Sequence, residues 1–323
     1  MKNRVNPELL EGLEMFQDAD VQDADLSPEF LQALREKMDK MRPPTIVDES
    51  ILLTDEVIVG PNANPLRLRI YRPKSNNETL PVLYWIHGGG YTLGSVDDND
   101  DLCMKFVKEA CCVVVSVNYR LAPENPYPAP IEDCYAGLKW VADNAESLNI
   151  DSKRIGVAGA SAGGGLTAAL TLLARDLKYP SICFQMPLYP MIDDRNNTPS
   201  ANEIKEGMLW NQKTNEAGWK MYLGDLHGTD DVPSYAAPAR AEDYSHLPYT
   251  YTCVGQLDPF RSETLTYVTN LAEAGVDVEF HLYPGAYHGF EAFSPNAALS
   301  VRAVTEYVKA VKIGFDRVSK VNV

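Results

Sequence analysis

Cysteine, positive charge and long apolar runs are all scarce in this sequence, and each shortage excludes a class of protein. The 323 residues include six cysteines with no C-x-x-C pair, so neither a zinc site nor a disulfide framework is expected. Lys and Arg total 29 against 45 for Asp and Glu, a net charge of −16, which argues against nucleic acid or anionic lipid as a partner. No apolar stretch approaches the roughly 18 residues of a membrane span.

The overall amino-acid composition is that of an ordinary globular protein. Hydrophobic residues make up 45% and charged residues 23% of the chain, enough for a large core in one or two domains. The N-terminus is acidic and lacks the apolar segment of a signal peptide, so we expect a cytosolic protein. A homodimer is compatible with this composition but not required by it.

The acidic excess is concentrated near the N-terminus. Residues 1–60 hold 6 basic and 14 acidic residues, half of the net charge of the whole chain. Leu9 and Leu13 belong to a run with helical spacing, and Ser27 followed by Pro28 marks the start of a second helix. Each helix has one apolar face to bury. We interpret residues 1–50 as a helical cap segment, which either stabilises the body alone or roofs an active site.

Residues 51–323 are expected to form the main domain, because short β-branched runs alternate there with helical patterns. This alternation predicts a mostly parallel sheet flanked by helices, with an antiparallel hairpin at one edge. A segment near 191–246, rich in Asp, Asn, Pro and aromatic residues, interrupts the alternation and is expected to be a cap or lid insertion. The predicted strands are 54–60, 66–72, 81–86, 112–118, 154–158, 182–187, 249–254 and 277–283. The predicted helices lie near 98–110, 130–148, 162–177, 261–274 and 296–318.

The most specific motif is GASAG at residues 159–163, directly between a predicted strand and a predicted helix. This context is typical of a nucleophile elbow, a turn so tight that only small residues fit on either side of the central serine. Ser161 would then present its hydroxyl at a helix N-terminus, where developing negative charge is favoured.

A second motif, HGGG at residues 87–90, follows another buried strand. Its glycines allow the backbone to approach a ligand and to direct N–H groups at it. In acyl transfer such donors, together with the N–H of Ala162, would stabilise an oxyanion. A phosphate-binding loop is the competing interpretation, but neither the Lys-Ser/Thr nor the G-x-G-x-x-G spacing is present.

A serine nucleophile needs a base and an acid that orients the base. Asp258 and His288 are the candidates, because each follows a predicted strand and they succeed Ser161 in the order serine, acid, histidine. Asp193 and Asp194 also follow a strand and remain rivals for the acid. The other histidines fit the role of base less well: His87, His227, His246 and His281.

Taken together, five motifs resemble those of the hormone-sensitive-lipase-like family of α/β-hydrolases, the bacterial family IV carboxylesterases. They are HGGG at 87–90, YRLAPE at 119–124, GASAGG at 159–164, DPFRSE at 258–263 and HGF at 288–290. The resemblance covers about residues 50–320. It implies an α/β-hydrolase fold with a helical cap, and a carboxylic ester hydrolase for short- to medium-chain acyl groups. It also implies that Gly89 and Gly90, with Ala162, supply the oxyanion donors.

The chain departs from the family pattern behind the elbow. The family commonly has Asp where this chain has Ala160, often Asn where it has Gly165, and Asp where it has Ser262. These differences leave the proposed triad and glycine turn intact but put a polar network behind the elbow in doubt. Arg120 and Glu124 match the family motif and are expected to form a structural hydrogen-bonding knot.

The hypothesis is two-step acyl transfer, in which Ser161 attacks a small-molecule ester and His288, oriented by Asp258, moves the protons. Neither a metal nor an organic cofactor is required. One alternative is a non-catalytic small-molecule-binding protein on the same fold. Another is a hydrolase for amides, lactones or acetylated sugars, since pocket shape sets substrate choice. Three aromatic residues are candidates either to line the pocket or to pack in a cap: Tyr91, Trp210 and Trp219.

Overall fold

One eight-stranded sheet forms the centre of the structure, a computed structural model that describes residues 1–17, 27–76 and 78–320. The strands are β1 (Ile51–Val59), β2 (Pro65–Pro73), β3 (Leu80–Ile86), β4 (Val113–Val117), β5 (Ile150–Ala160), β6 (Phe184–Leu188), β7 (Tyr249–Leu257) and β8 (Val278–Tyr287). The α-helices are α1 (Leu10–Gln17), α2 (Pro28–Met41), α3 (Asp100–Ala110), α4 (Ala129–Asp143), α5 (Ala162–Leu177), α6 (Pro199–Glu203), α7 (Gln212–Leu223), α8 (Arg261–Glu273), α9 (Phe290–Phe293) and α10 (Ala298–Lys320).

The strand order is β1-β2-β4-β3-β5-β6-β7-β8. β1 and β2 pair antiparallel at one edge and β2 pairs antiparallel with β4, whereas all pairs from β4 to β8 are parallel. β3 and β4 are buried along their whole length, as expected for central strands covered on both faces. The predictions of a mostly parallel sheet and of an edge hairpin are confirmed.

The predicted helix over 130–148 is wrong in length. α4 ends at Asp143, and its C-cap Asn144 leaves the helical conformation with φ −104° and ψ 21°. The side-chain amide of Asn144 donates to the carbonyl of Trp140 (2.9 Å), which also accepts the backbone N–H of Asn144 (3.0 Å). Asn favours helix ends over helix interiors because its side chain competes for backbone groups.

The two N-terminal helices, α1 and α2, differ in how far their apolar side chains are buried. Leu9 and Leu13, on either side of the start of α1, are fully buried. Ser27 caps α2 as predicted, accepting the N–H of Phe30. The apolar face predicted for α2 is only partly covered, however, since Leu31 is buried while Met41 is 71% exposed. The hydrophobic contribution of α2 to its own docking is therefore small.

Polar contacts of Arg35 fasten α2 to the body instead. Its guanidinium donates to the carbonyls of Thr92 (2.8 Å) and Ala122 (2.7 Å) and to both carboxylate oxygens of Glu124 (2.9 and 3.1 Å). The expected knot between Arg120 and Glu124 is therefore not formed as one unit, because Arg120 pairs with the buried Asp133.

The segment between β6 and β7 contains α6 and α7, joined by irregular backbone. Trp219 and Tyr222 lie on α7, whereas Trp210 precedes the helix and its indole N–H donates to Asn215 (3.3 Å). Within the described ranges, no helix combines the length and apolar character needed to cross a bilayer.

Replacing Arg35 with Ala is expected to loosen α2 selectively. The variant loses bonds to two carbonyls and one carboxylate, so the free energy of local opening of α2 should fall by about 1 to 2 kcal/mol. Hydrogen exchange of residues 28–41 measures this. Lys37→Ala, which removes the same charge from an exposed position of the helix, is the control, and equal protection of the two variants would contradict the anchoring role.

Candidate active site

The elbow at Ser161 joins the end of β5 directly to the start of α5. Ser161 has φ 58° and ψ −119°, a strained conformation for a residue with a side chain. Its N–H donates to the carbonyl of Leu188 (2.9 Å) on the neighbouring strand. A Cβ on Gly163 would lie 2.1 Å from the carbonyl oxygen of Ile86, and one on Gly159 would lie 2.4 Å from that of Gly163. The two glycines allow the turn to press against β3.

Three side chains predicted from separate motifs lie in one hydrogen-bonded chain. His288 Nε2 is 2.8 Å from Ser161 Oγ, and His288 Nδ1 is 2.8 Å from Asp258 Oδ2. Asp258 is fully buried, and its Oδ1 accepts the N–H of Phe260 (2.9 Å). The loops after β7 and β8 carry the acid and the histidine, so both reach the carboxyl edge of the sheet where Ser161 stands.

Aromatic rings surround the His288 imidazole. Tyr189 and Phe260 meet it edge to face, with ring centroids 5.1 and 5.0 Å away, and Trp210 lies 6.2 Å away. Neither Tyr189 nor Phe260 is predicted from the sequence as a site residue, although Tyr189 directly follows β6 and Phe260 lies two residues after Asp258. Position at the carboxyl end of a strand is the signal that could have identified both.

The glycine turn packs against the elbow. Gly89 and Gly90 have φ of 118° and 60°, and a Cβ on Gly88 would lie 3.4 Å from that of Ser161. A Cβ on Gly90 would lie 2.5 Å from the indole of Trp210, so this glycine leaves room for the aromatic side chain. The backbone of the turn therefore lies between Ser161 and Trp210.

His87 makes contacts within the glycine turn and with the segment that follows β4. Its ring stacks on Tyr119 with centroids 4.2 Å apart, and its Nδ1 is 2.8 Å from the carbonyl of Gly88. Burial lowers its pKa to about 4, so the imidazole is neutral near pH 7 and Nδ1–H donates to Gly88.

The rival residues have other partners. Asp193 pairs with Arg195 (2.7 Å) and Asp194 with Arg240 (2.6 Å). His281 lies 3.0 Å from Glu279. None of these rivals belongs to the Ser161–His288 chain.

Ser262, where the family commonly has Asp, ties the Asp258 loop to α6. It exchanges two hydrogen bonds with Ser200, since each serine backbone N–H donates to the other's hydroxyl (3.1 and 2.9 Å). Ser200 also donates to the carbonyl of Pro259 (2.6 Å). The next residue, Glu263, accepts the N–H groups of Ile192 and Asp193, although burial raises its pKa well above the ordinary range. The polar network beside the loop is thus built without the family's aspartate.

In the described part of the chain, one group of side chains has the spacing of metal ligands: Glu279, His281 and Glu306, with ligand atoms within 4.8 Å of one another. The hydroxyl of Tyr249 donates to Glu279, and the Lys309 ammonium pairs with Glu306. These contacts account for the cluster without an ion, and it lies apart from Ser161, on β8 and α10.

The sequence model of a family described as "alpha/beta hydrolase fold" matches residues 83–292, and with the sheet order this defines the chain as an α/β-hydrolase. It is 36% identical to the esterase LipI of Mycobacterium tuberculosis over 288 residues, 88% of each chain. It is 36% identical to the carboxylesterase NlhH of the same species over 84% of this chain and 85% of that one. The structure of a bacterial heroin esterase superposes with a TM-score of 0.89 at 36% identity, over 97% of this chain and 98% of that one.

The chain therefore belongs to the hormone-sensitive-lipase-like family of α/β-hydrolases. It is a carboxylic ester hydrolase. The fold and the activity implied by the five motifs are thereby confirmed.

Replacing Gly163 with Ala is expected to disrupt the elbow. The new methyl would overlap the carbonyls of Ile86 and His87, and neither backbone group can move without shifting β3. We expect a loss of about 3 kcal/mol or more in the free energy of unfolding, measured by urea denaturation. Gly218→Ala on α7, where the nearest atoms lie 3.3 Å or more from the added Cβ, should stay within about 1 kcal/mol. Similar losses in both variants would contradict this interpretation.

Proposed function

We propose that Ser161 is the nucleophile, His288 the general base and acid, and Asp258 the acid that orients it, in hydrolysis of carboxylic esters. The observation that carries this assignment is the continuous chain of two 2.8 Å contacts from Ser161 through His288 to Asp258. With Nδ1–H donated to a carboxylate, Nε2 is left as the acceptor that takes the serine proton.

The reaction then proceeds in two steps. Ser161 Oγ attacks the ester carbonyl as its proton passes to His288 Nε2, and a tetrahedral oxyanion forms. The N–H groups of Gly89, Gly90 and Ala162 are the proposed donors to that oxygen. Collapse of the intermediate breaks the ester C–O bond, and the alcohol leaves with the proton from His288. Water, deprotonated by the same imidazole, then attacks the acyl-enzyme and releases the acid and free Ser161.

Residues 1–50 and 191–246 are proposed to form the cap over this site, with 51–323 as the catalytic domain that contains the second segment. Two observations support this. Trp210, from the segment 191–246, lies beside both His288 and Gly90, and α2 is anchored by Arg35 to Thr92, two residues after the glycine turn. Both contacts support a cap that meets the body at the edge of the site.

The proposed substrates are esters with short- to medium-chain acyl groups. The indole of Trp210 is partly buried and packs on Gly90, so it limits the space next to the oxyanion site. Hydrolysis of amides, lactones or acetylated sugars would use the same three side chains and differ only in pocket fit. A protein that only bound ligands would have no use for the buried Ser161–His288–Asp258 chain.

A cytosolic location is proposed on separate grounds. All six cysteines are free thiols, as is usual where glutathione keeps thiols reduced. A homodimer stays a prediction, which sedimentation analysis of the purified protein would test.

Ser161→Ala is expected to lower kcat for p-nitrophenyl butyrate by at least about 1,000-fold, because it removes the hydroxyl that lies 2.8 Å from His288 Nε2. A fluorophosphonate should label Ser161 in the native chain and leave the variant unlabelled. Ser116→Ala is the matched control, since this buried serine lies on β4 and its hydroxyl has no hydrogen-bond partner among the described residues. Native-like turnover by Ser161→Ala would refute the assignment.

A panel of p-nitrophenyl esters from acetate to palmitate tests the acyl preference. We expect kcat/KM to be highest among the short and medium chains and to fall toward palmitate. Trp210→Ala should raise the rates for longer chains relative to acetate, because it removes the ring that narrows the site. A native rate that rises steadily to palmitate would contradict the proposed preference.

A further inference from the structure

A second buried carboxyl group, that of Glu291, lies close to the proposed triad and has no part in the two-step reaction. Glu291 is 7% exposed and lies on the short helix α9, three residues after His288. Its Oε1 accepts a hydrogen bond from the hydroxyl of Tyr189. Its Oε2 is buried and has no hydrogen-bond partner in the described part of the chain. A buried carboxyl group with an unpartnered oxygen is costly to stability, which points to a functional reason for keeping it.

Tyr189 connects this carboxyl group to the imidazole. It directly follows β6 with φ 33°, and its N–H donates to the carbonyl of Cys253 (2.8 Å) on β7. The hydroxyl end of the side chain contacts Glu291, and the ring meets His288 edge to face at 5.1 Å and 79°. One rigid side chain thus touches both groups.

We propose that Glu291 is a positioning residue that acts through Tyr189: it anchors the phenol, and the phenol ring keeps the His288 imidazole in line with Ser161 and Asp258. This inference rests on the proposed function. Phe260 contacts the imidazole edge to face as well. The imidazole thus packs against the rings of both Tyr189 and Phe260, and a shift of the Tyr189 ring would give it room to tilt.

The environment of Glu291 favours its neutral form. Burial raises the pKa of this carboxyl group and the nearby Asp258 carboxylate raises it further, whereas the hydrogen bonds from Tyr189 and from the Glu291 backbone, and the proximity of His288, act in the opposite direction. The titratable groups that face it from the surrounding elements are Tyr189 after β6, Cys253 on β7, Asp258 after β7, Tyr287 on β8, His288 after β8 and Tyr307 on α10. A glutamine would therefore reproduce the group as an acceptor for the Tyr189 hydroxyl.

The experiment compares substitutions at Glu291 in p-nitrophenyl butyrate hydrolysis by the full chain. Glu291→Met removes the acceptor at similar volume and should fold, because it also removes a buried oxygen without a partner. We expect its kcat to fall by about tenfold with KM within about twofold, since a slightly misplaced imidazole impairs proton transfer more than binding. Glu291→Gln keeps the acceptor and should stay within about threefold of the native kcat.

A double-mutant cycle tests whether Glu291 acts through Tyr189. Tyr189→Phe should lower kcat about as much as Glu291→Met, and the double variant should lose no more than either single variant. Tyr307→Phe is the matched control, because it removes another buried tyrosine hydroxyl near the same carboxyl group and should leave kcat unchanged. Should Glu291→Met fail to fold, Tyr189→Phe carries the test, and a native kcat in that variant overturns the proposal.

The outcomes separate this inference from the proposed function. If the native chain neither hydrolyses the ester nor is labelled by a fluorophosphonate, both proposals are wrong. If the native chain is active and Glu291→Met retains its kcat, or if the losses in the cycle are additive, only the positioning role is overturned. An equal loss in Glu291→Gln and Glu291→Met would likewise overturn it, because the acceptor would then not be the feature that matters.

Discussion

The geometry of the site depends on the backbone of one residue. Ser161 is held at a positive φ between β5 and α5, and this conformation exists only because Gly159 and Gly163 let the turn approach the carbonyls beneath it. The backbone of Ser161 is strained in this conformation, and packing of the surrounding buried sheet and helix offsets the strain. As a result the Ser161 hydroxyl lies above the sheet edge, at the N-terminus of a buried helix.

The parallel sheet explains why residues 127 positions apart in sequence meet there. Strands β5, β6, β7 and β8 are neighbours and point the same way, so the loops after them emerge side by side. Ser161 follows β5, Tyr189 follows β6, Asp258 follows β7 and His288 follows β8. Each of the four strands is therefore followed by one residue whose side chain hydrogen-bonds to, or meets edge to face, another member of the group.

Sequence analysis predicted the parts of this arrangement that have a local cause. The glycines around Ser161 and the strands before Asp258 and His288 have signatures within a few residues, so both elements and candidates could be read from the chain. Contacts between segments that are distant in the sequence have no such local signature. Arg35 reaches Glu124 across 89 positions, and neither residue has a neighbour that reveals the partner. The prediction that α2 buries its whole apolar face was wrong for the same reason, since apolar spacing along a helix does not show whether another part of the chain covers that face.

Three buried acids, Asp258, Glu263 and Glu291, differ in how their oxygens are satisfied, and this difference separates their roles. Asp258 accepts hydrogen bonds at both oxygens, from His288 and from the backbone of Phe260, so its position is fixed and it can face an imidazole that becomes charged. Glu263 accepts two backbone N–H groups at the start of the segment after β6, which suits a structural tie. Glu291 has one side-chain hydrogen-bond partner, the phenol of Tyr189, and the ring of that tyrosine is what contacts the imidazole. The number and kind of partners, more than proximity to His288, therefore favour Asp258 as the orienting acid.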